Sequence, residues 1–431
     1  MTYEEALLYL EAHVNLEALP VADPGVGRSL DRMARLVHVM DDPQHAYPVL
    51  HLTGTNGKGS TARMLTALLG AQGLSVGTYT SPHLERINER LAYGGEPIAD
   101  EEFASLVEAV SLIEPLIGDR PSHFEILTSA AFRWFADLAV DVAVVEVGLG
   151  GRWDATNVAD GQVAVVTNVE LDHEEYLGPT RRSAAEVKAG IIKPESFLVL
   201  GETDPDIASI FRDVAGRGVW ARDVEFGCEV NRPAYGGRLV DLRTPGAEYE
   251  EVFLPVHGAH QGDNAALALA AAEAFFGAPL LNEVVAEAFA GLRLPGRLEV
   301  VARQPLVVLD GAHNPAGAHA AAAAIDEAFG DTSGRVLVTG MLRGRDPDEM
   351  LAALGADRAR LVIACPPPSP RALPAADVAA AASRIGVATE IASSAAEAVA
   401  LSLAMAEPDD LVVVTGSLYV VGEARAALTR G

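Results

Sequence analysis

The sequence is poor in cysteine and in positive charge. Its two cysteines, Cys228 and Cys365, have no spacing typical of metal or redox sites, which excludes a disulfide scaffold and a thiolate zinc site. Lysine and arginine number 32 against 60 aspartates and glutamates, a formal net charge of −28. Such a negative surface repels phosphate backbones and anionic lipids, so we expect no nucleic acid and no membrane as partner. A local basic pocket for one small anion remains compatible with this charge.

Long apolar runs are also missing. No run reaches the roughly 18 residues that a membrane span needs, and the acidic, amphipathic N-terminus shows no signal peptide, so we expect a cytoplasmic protein. Hydrophobic residues make up 49% of the 431 residues, as in ordinary globular proteins. This length predicts two or three domains. Because no coiled-coil heptads and no internal repeats occur, a monomer is the default expectation.

Short β-branched runs alternate with helical patterns after two opening helices, the second of which has Ser29 as a plausible N-cap. This alternation predicts βαβ units and a mostly parallel sheet. The predicted strands cover residues 49–53, 74–80, 140–147, 163–169 and 197–200. Residues 221–256 carry Gly, Pro and short alternating stretches, which we interpret as antiparallel hairpins appended to this sheet. Residues 259–292 are predicted to be helical.

A hinge is predicted in the segment LRLPGR, which carries Pro295 and Gly296. A second α/β pattern follows it, with strands predicted at residues 305–309, 336–340, 361–364 and 411–415. The sequence therefore predicts an α/β protein. A P-loop-type, mostly parallel domain with a small antiparallel appendage covers residues 1–294, and a smaller Rossmann-like α/β domain covers residues 295–431.

The strongest functional signal is the string Thr53-Gly-Thr-Asn-Gly-Lys-Gly-Ser-Thr61, between a predicted strand and a predicted helix. Its glycines let successive N–H groups point at phosphate oxygens, the helix N-terminus adds positive potential, and Lys58 supplies a cation. The usual P-loop has four residues between its first glycine and the Gly-Lys pair. Here there are two, Thr55 and Asn56, so the string is a shortened variant. We predict nucleotide binding.

Two further strand ends carry polar groups. Glu146 ends an apolar strand before a glycine-rich loop, where an α/β sheet places ligands, and beside a phosphate loop it is suited to hold Mg²⁺. His173 follows another strand, as a metal ligand or an ordinary loop histidine. Lys188 lies in a helical pattern that by itself indicates a solvated residue.

The second α/β unit offers Asp310 and, just past the hinge, Arg297. Asp310 is suited to accept hydrogen bonds from ribose hydroxyls, or is an N-cap. Arg297 is placed to reach phosphate from the other domain, or forms a rim salt bridge. Closure about the hinge could trap ATP between the domains for phosphoryl transfer. The acceptor, whether hydroxyl, carboxylate or water, cannot be read from these residues.

Eight separate strings, in order along the whole chain, resemble the folylpolyglutamate synthases and dihydrofolate synthases of the wider Mur ligase group. The strings are GTNGKGST, TSPHL, EVGLGGRWDATN, LDHEEYLG, KAGIIKP, HGAHQGDNAALAL, LPGRLE and DGAHNP. The resemblance implies an ATP-dependent amide ligase. Such enzymes phosphorylate a carboxylate to an acyl phosphate, which the amine of L-glutamate then attacks. The acid is dihydropteroate or the terminal glutamate of a reduced folate.

The resemblance also implies roles for individual residues. Residues implied to bind ATP are Asn56, Gly57, Lys58, Gly59, Ser60, Asn264, Arg297 and Asp310. The implied Mg²⁺ ligands are Ser81, Glu146 and His173. Lys58, Lys188 and His313 are implied to be catalytic, with Lys188 resembling a lysine that carries a carbamate. Residues implied to lie at the pterin-bearing substrate are Phe124, Glu125, Arg152 and Asp154.

Two positions depart from the family pattern. Arg345-Asp346 replaces a frequent Lys-Asp pair, and Trp153 occupies a slot that is often a smaller aliphatic residue. Arginine presents a planar fork rather than a point charge, so glutamate or interdomain contacts could differ. Two other functions stay open as alternatives, a Mur-like ligase acting on a non-folate acid and a non-catalytic nucleotide-binding regulator. The sequence does not say which folate acid is used or how long a tail is made.

Overall fold

Eight strands form the first sheet, built largely as the alternating pattern predicts. The computed structural model describes residues 1–15, 17 and 29–429. The strands are β1 (Val49–Thr53), β2 (Val76–Tyr79), β3 (Leu91–Tyr93), β4 (Glu96–Pro97), β5 (Val142–Glu146), β6 (Gly161–Val166), β7 (Phe197–Leu200) and β8 (Gly218–Ala221). Their order is β4-β3-β2-β5-β1-β6-β7-β8, parallel except for the β2-β3-β4 edge. Every residue of β1 and β5 is buried, as expected for central strands covered on both faces.

Helices cover both faces of this sheet. They are α1 (Tyr3–Glu11), α2 (Asp31–Val39), α3 (Lys58–Ala71), α4 (Asp100–Ile117), α5 (His123–Asp137), α6 (Glu174–Leu177), α7 (Arg181–Lys188), α8 (Pro205–Arg212), α9 (His260–Phe276) and α10 (Asn282–Ala290). One apolar cluster joins α3 and α9 to one face of the sheet, and another joins α1, α2, α4 and α5 to the other. Among the described residues, no helix is both long and apolar enough to cross a membrane.

Three predictions in this part of the chain are wrong in detail. The hairpins form a separate antiparallel sheet, of β9 (Gly227–Ala234), β10 (Gly237–Arg243) and β11 (Glu248–Leu254), rather than extending the first one. The helix predicted over 259–292 is two helices, because Gly277 takes a left-handed φ of 69° and ends α9. Leu30, not Ser29, is the N-cap of α2, although the Ser29 hydroxyl still accepts from the Asp31 N–H at 3.0 Å.

A second, six-stranded sheet forms the C-terminal part. Its strands are β12 (Glu299–Arg303), β13 (Leu306–Leu309), β14 (Arg335–Thr339), β15 (Leu361–Ala364), β16 (Ala388–Ile391) and β17 (Leu411–Thr415), in the order β12-β13-β17-β14-β15-β16. Only β12 pairs antiparallel. The helices around it are α11 (Pro315–Phe329), α12 (Pro347–Ala353), α13 (Ala375–Arg384), α14 (Ala395–Met405) and α15 (Leu418–Thr429). The boundary at 294/295, between α10 and β12, stays a prediction.

Close packing and ion pairs join the two parts. Arg238 on β10, 2% exposed, pairs with Glu327 on α11. Arg425 on α15 pairs with both Glu85 and Glu299. A Cβ added at Gly422 would lie 1.9 Å from the carbonyl oxygen of Leu84, so α15 approaches this loop more closely than any side chain would allow.

Burial lowers the pKa of several histidines. Burial lowers the pKa of His51 on β1 to about 3, and the nearby Lys193 adds to this effect. Its Nε2 lies 2.8 Å from the Thr156 hydroxyl, while Nδ1 has no hydrogen-bond partner among the described residues. Burial likewise lowers the pKa of four others to about 4, namely His83, His123, His260 and His313. Each stays neutral in the folded protein at a pH where the unfolded chain binds a proton.

We expect His51→Gln to flatten the pH dependence of stability. Between the unfolded pKa of about 6.5 and the folded pKa of about 3, unfolding takes up a proton at His51, so the free energy of unfolding falls as the pH falls. Removing this group should reduce the slope by about 1.4 kcal/mol per pH unit. Urea unfolding at pH 4.5 and 5.5 measures the slope, with His319→Gln, at an exposed histidine of α11, as control. Equal slopes for the two variants would contradict the expectation.

Candidate active site

Two glycines fix the phosphate loop between β1 and α3. Gly54 has a φ of 149° and Gly57 a φ of 83°, both in the region that favours glycine. A Cβ on Gly54 would lie 1.8 Å from the Thr167 hydroxyl oxygen, and one on Gly57 would lie 2.6 Å from Oδ1 of Asn264. The loop is therefore in contact with the end of β6 on one side and with α9 on the other. Asn264, predicted to bind nucleotide, lies beside it.

The two predicted catalytic lysines meet at one carbonyl oxygen. Lys58 Nζ donates to Gly54 O at 3.1 Å and to Thr55 O at 3.2 Å. Lys188 Nζ donates to the same Gly54 O at 2.8 Å. The whole sequence has three lysines, and the third, Lys193, donates to Asn157 O at 3.0 Å. Two positive side chains converge where an anion is expected.

The structure shows that Lys188 is buried, although its helical pattern alone indicated a solvated residue. This residue is 3% exposed at the end of α7, so it is not a solvated helix residue. Burial, followed by the charge of Lys58, lowers the pKa of Lys188 to about 7. A substantial fraction of the amine is therefore neutral, and so nucleophilic, near neutral pH.

Glu146 is a buried carboxylate that forms no close ion pair among the described residues. It ends β5, is 3% exposed, and accepts a hydrogen bond from the Ser81 N–H at 3.2 Å. Within the described part of the chain it has no ion pair within 4.0 Å. Burial raises the pKa of Glu146, partly offset by the charge of Lys58. A Cβ on Gly59 would lie 3.5 Å from its Oε2, so the carboxylate lies against the start of α3.

The predicted metal ligands fit a cation that is shared with a phosphate. Ser81 and His173 both line the cavity described below, and Glu146 touches Ser81. Residues 1–15, 17 and 29–429 contain no group of three His, Cys, Asp or Glu side chains placed to hold a metal. A hydroxyl, one buried carboxylate and one imidazole suit Mg²⁺, which typically takes its other ligands from phosphate and water. The donor set is therefore that of a metal–nucleotide site rather than a closed protein cage.

Asp172 joins the two sheets at this site. Its Oδ2 accepts from Nδ2 of Asn314 at 2.9 Å, and the same Nδ2 lies 3.0 Å from Oδ1 of Asn56 in the phosphate loop. The guanidinium of Arg345 also pairs with Asp172. Burial alone would raise the pKa of Asp172, but the charges around it, His173 first, then His313 and Arg345, lower the pKa overall. The phosphate loop is thus tied to the C-terminal sheet through side-chain amides.

The other two residues predicted to bind nucleotide, Asp310 and Arg297, lie near the junction of the two sheets. Asp310 is buried and accepts from the N–H groups of Leu298 at 3.0 Å and Ala312 at 2.9 Å. Asp310 is not an N-cap, because Asn314 caps α11. Arg297 makes no salt bridge within the described residues, so the rim-bridge alternative has no support there.

A cavity of about 350 Å³ lies next to the phosphate loop, reaching it through Ser81, which contacts Glu146. Ser81, His173 and His313 line it, and so do three of the four predicted substrate residues, Phe124, Glu125 and Asp154, together with Trp153. The fourth, Arg152, lies outside; its Nη2 donates to Glu186 O at 3.3 Å, and its guanidinium lies over the Trp153 ring.

Glu125 and Asp154, the two carboxylates predicted to contact substrate, already bind groups within the protein. Glu125 pairs with Arg32 at 2.7 Å and caps the start of α5. Asp154 accepts from the Leu149 N–H at 2.9 Å and from the Thr156 N–H at 3.0 Å. These bonds hold the walls of the cavity in place.

A wider, open hollow of about 520 Å³ lies at the ends of β6, β7 and β8. Both arginines in its wall form ion pairs, Arg181 with Glu202 at 3.2 Å and Asp204 at 2.8 Å, and Arg222 with Asp263 at 2.9 Å. It contains none of the predicted site residues. The smaller cavity is therefore the candidate active site.

Sequence reasoning missed the roles of Asp172 and Asn314. Both stand in strings that carry the resemblance, directly beside His173 and His313. Their position next to two candidate site histidines was the available signal. Their mutual contact spans 142 residues of sequence, and spacing alone does not reveal such a pairing.

The sequence is similar to known protein families along most of its length. The sequence matches the family model of the Mur ligase middle domain over residues 52–272 and that of the Mur ligase glutamate ligase domain over residues 296–418. A relative from Mycobacterium tuberculosis, called dihydrofolate synthase/folylpolyglutamate synthase, is 39% identical over 441 residues, covering 93% of this chain and 90% of that protein.

Solved structures are similar over the full chain. Folylpolyglutamate synthase from Mycobacterium tuberculosis, complexed with ADP and AMPPCP, has a TM-score of 0.90 at 37% identity, covering 100% of this chain and 99% of that chain. A bifunctional folylpolyglutamate synthase/dihydrofolate synthase with Mn, AMPPNP and L-glutamate bound has a TM-score of 0.83 at 31% identity, covering 100% of this chain and 98% of that chain. The α/β fold is confirmed.

We expect Asn314→Ala to destabilise the protein. The change removes the amide that joins Asn56 to Asp172 and leaves a buried carboxylate short of a hydrogen bond. The free energy of unfolding should fall by about 1–3 kcal/mol. Urea unfolding measures it, with Asn282→Ala, at the exposed start of α10, as the matched control. A variant as stable as the control would show that this bridge contributes nothing.

Proposed function

The chain belongs to the folylpolyglutamate synthase and dihydrofolate synthase family of Mur ligases, and from this membership we propose an ATP-dependent ligase that joins L-glutamate to a folate-type carboxylate. The acid is dihydropteroate, the terminal glutamate of a reduced folate, or both. One observation supports this proposal above others. A phosphate loop with two convergent lysines and a buried, unpaired Glu146 adjoins Ser81 at a cavity that two parts of the chain enclose.

ATP binds along the loop in this proposal. The N–H groups at Gly57, Gly59 and Ser60, the start of α3 and Lys58 receive the phosphates. Asn56 contributes through its side chain, because its own N–H donates to Oδ1 of Asn168 at 3.0 Å. Asn264, Arg297 and Asp310 contact the rest of the nucleotide. Ser81, Glu146 and His173 would hold Mg²⁺, which supplies charge neutralisation for the phosphates when bound.

The reaction proceeds through an acyl phosphate. A carboxylate oxygen of the acid attacks the terminal phosphorus, and the bond to the ADP oxygen breaks. The glutamate amine then attacks the acyl carbon, loses a proton, and phosphate leaves as the amide forms. Lys58 stabilises charge that develops on the transferred phosphoryl group.

His313 orients the amine in this scheme. Burial lowers its pKa to about 4, so the ring is neutral at pH 7. Its Nδ1 lies 2.9 Å from Gly311 O, and its Nε2 lies 3.8 Å from Oδ2 of Asp172. In this proposal Nδ1 keeps the proton, so Nε2, beside that carboxylate, is an acceptor. An imidazole acceptor at this position can hold the attacking N–H group.

The ring-bearing part of the acid occupies the Phe124 and Trp153 end of the cavity. Aromatic walls suit a flat heterocycle. Glu125 and Asp154 act there mainly by holding the wall, and Arg152 acts through the Trp153 ring on which it lies. We further propose a monomeric, cytoplasmic enzyme with small molecules as its only partners.

We expect Lys58→Ala to lower turnover by roughly 10²-fold or more, because one charge-stabilising donor is lost at the phosphoryl group. Glutamate-dependent phosphate release with MgATP measures it, with dihydropteroate and tetrahydrofolate in separate reactions. The control is Lys193→Ala, whose amine contacts Asn157 O rather than the loop. A folded Lys58→Ala variant with wild-type turnover would contradict the proposed role of Lys58 in phosphoryl transfer.

The same assay tests the function as a whole. Turnover with both acids indicates a bifunctional enzyme, and turnover with one names the activity. Wild-type protein that binds ATP but is silent with both acids would leave a ligase for a non-folate acid. No ATP consumption with any acid would leave a non-catalytic nucleotide-binding regulator.

We also propose that Lys188 carries a carbamate. Its pKa of about 7 provides a neutral amine, whose nitrogen adds to the carbon of CO₂ with release of one proton. The product is an anion beside Lys58, so repulsion between two cations becomes attraction. Such a carboxylate could bind or support the metal.

We expect native mass spectrometry in bicarbonate buffer to show an added mass of one CO₂ that the Lys188→Gln variant lacks. Removing bicarbonate should lower the activity of the wild type. Assignment is straightforward because the chain has only three lysines. An adduct that persists in Lys188→Gln, or activity indifferent to bicarbonate with no adduct, would contradict the carbamate.

A further inference from the structure

Arg371 is an unpaired guanidinium in the wall of the candidate active site. Four arginines line the cavity, Arg32, Arg120, Arg345 and Arg371. The first three form ion pairs, with Glu125 at 2.7 Å, with Glu114 at 3.7 Å and with Asp172. Among residues 1–15, 17 and 29–429, Arg371 has no such pair, and its buried Nε has no hydrogen-bond partner. A buried donor without an acceptor calls for a partner, and here it lies in the wall of the candidate active site.

The backbone holds Arg371 firmly at this place. It lies between β15 and α13, where its N–H donates to the Ser369 hydroxyl at 3.2 Å. Its carbonyl oxygen accepts from the Arg343 N–H at 2.7 Å, and Leu373 N–H donates to Met341 O at 2.8 Å. These bonds tie the Arg371 loop to the loop that carries Arg345. These bonds fix the backbone position from which the Arg371 side chain reaches the cavity wall.

The C-terminal wall, meaning the cavity-lining residues after position 300, is cationic. It contains Arg345 and Arg371 but no carboxylate, whereas the acids that line the cavity, Glu17, Glu125 and Asp154, all come from the N-terminal part. Ser417 and Tyr419 add hydroxyls to the same wall. Burial raises the pKa of Tyr419, so its phenol stays protonated and can donate. Apart from His313, every polar side chain of this wall can donate to an anion.

We propose that Arg371 binds a carboxylate of the incoming amino acid and thereby contributes to the selection of L-glutamate, an inference that rests on the proposed function. Arg345 is partly neutralised by Asp172, so Arg371 offers the wall's uncompensated charge. The reacting carboxylate of the acid is drawn instead to Ser81 and His173. The C-terminal wall is left for the second substrate. An amino acid with two carboxylates matches a wall with two guanidinium groups.

The test is the KM for L-glutamate in Arg371→Gln, with dihydropteroate as the acid where the wild type accepts it. Dihydropteroate has a single carboxylate, the one that reacts, and carries no glutamate tail. A change in the KM for L-glutamate therefore cannot result from a lost contact between Arg371 and such a tail. We expect the KM for glutamate to rise about 10- to 100-fold, as for loss of a charged hydrogen bond. The KM for MgATP should stay within about twofold. Arg371→Lys, which keeps the charge, should be intermediate.

Arg343→Gln is the matched control, because Arg343 is exposed and its Nε donates to Ala372 O on the same loop. ADP binding by calorimetry verifies that each variant is folded. An active wild type whose Arg371→Gln variant keeps its KM for glutamate would overturn the inference. So would a rise confined to the KM for tetrahydrofolate, which would place the acid's tail at Arg371. A wild type that binds ADP but turns over no acid would overturn the proposed function itself.

Discussion

The carbonyl oxygen of Gly54 organises the site, because two lysine amines converge on it. One backbone acceptor cannot neutralise two cations, and Glu146 is buried nearby with one hydrogen bond. The lysines and Glu146 are therefore left to be neutralised by the charges of bound ligands. This local positive potential is set in a chain whose net charge is −28, so the acidic surface and the cationic interior differ in sign. Anionic phosphates are attracted to the point where the loop meets the start of α3.

The second constraint is the junction between the sheets. Asn314 links Asn56 of the phosphate loop to Asp172, and Asp172 also holds Arg345. The glycine packing at Gly422 keeps α15 against the Leu84 loop on another side of the junction. Side chains from both parts of the chain thus face one cavity, and these contacts position them before any substrate binds. Preorganisation of this kind lowers the cost of bringing nucleotide, acid and amine together.

Local patterns were enough to predict the central parallel strands and the phosphate loop, but not the parallel edge strands β8 and β16. Central strands such as β1 and β5 are fully buried, so their apolar runs are unambiguous. The strands β12 and β16 escaped prediction because they are partly exposed edge strands with mixed composition. Lys188 was misread from its helix pattern, since its burial depends on Gly54, which lies 134 residues earlier. Periodicity describes a face of one element but not what that face meets.

The shortage of lysine has a practical side. Arginine carries nearly all the basic charge, and the three lysines are Lys58, Lys188 and Lys193. Reagents that acylate primary amines, such as succinimidyl dyes or amine-coupling resins, therefore find few targets besides the chain's amino terminus. Two of those targets touch the phosphate loop. Amine labelling of Lys58 or Lys188 would therefore break a contact of the phosphate loop itself.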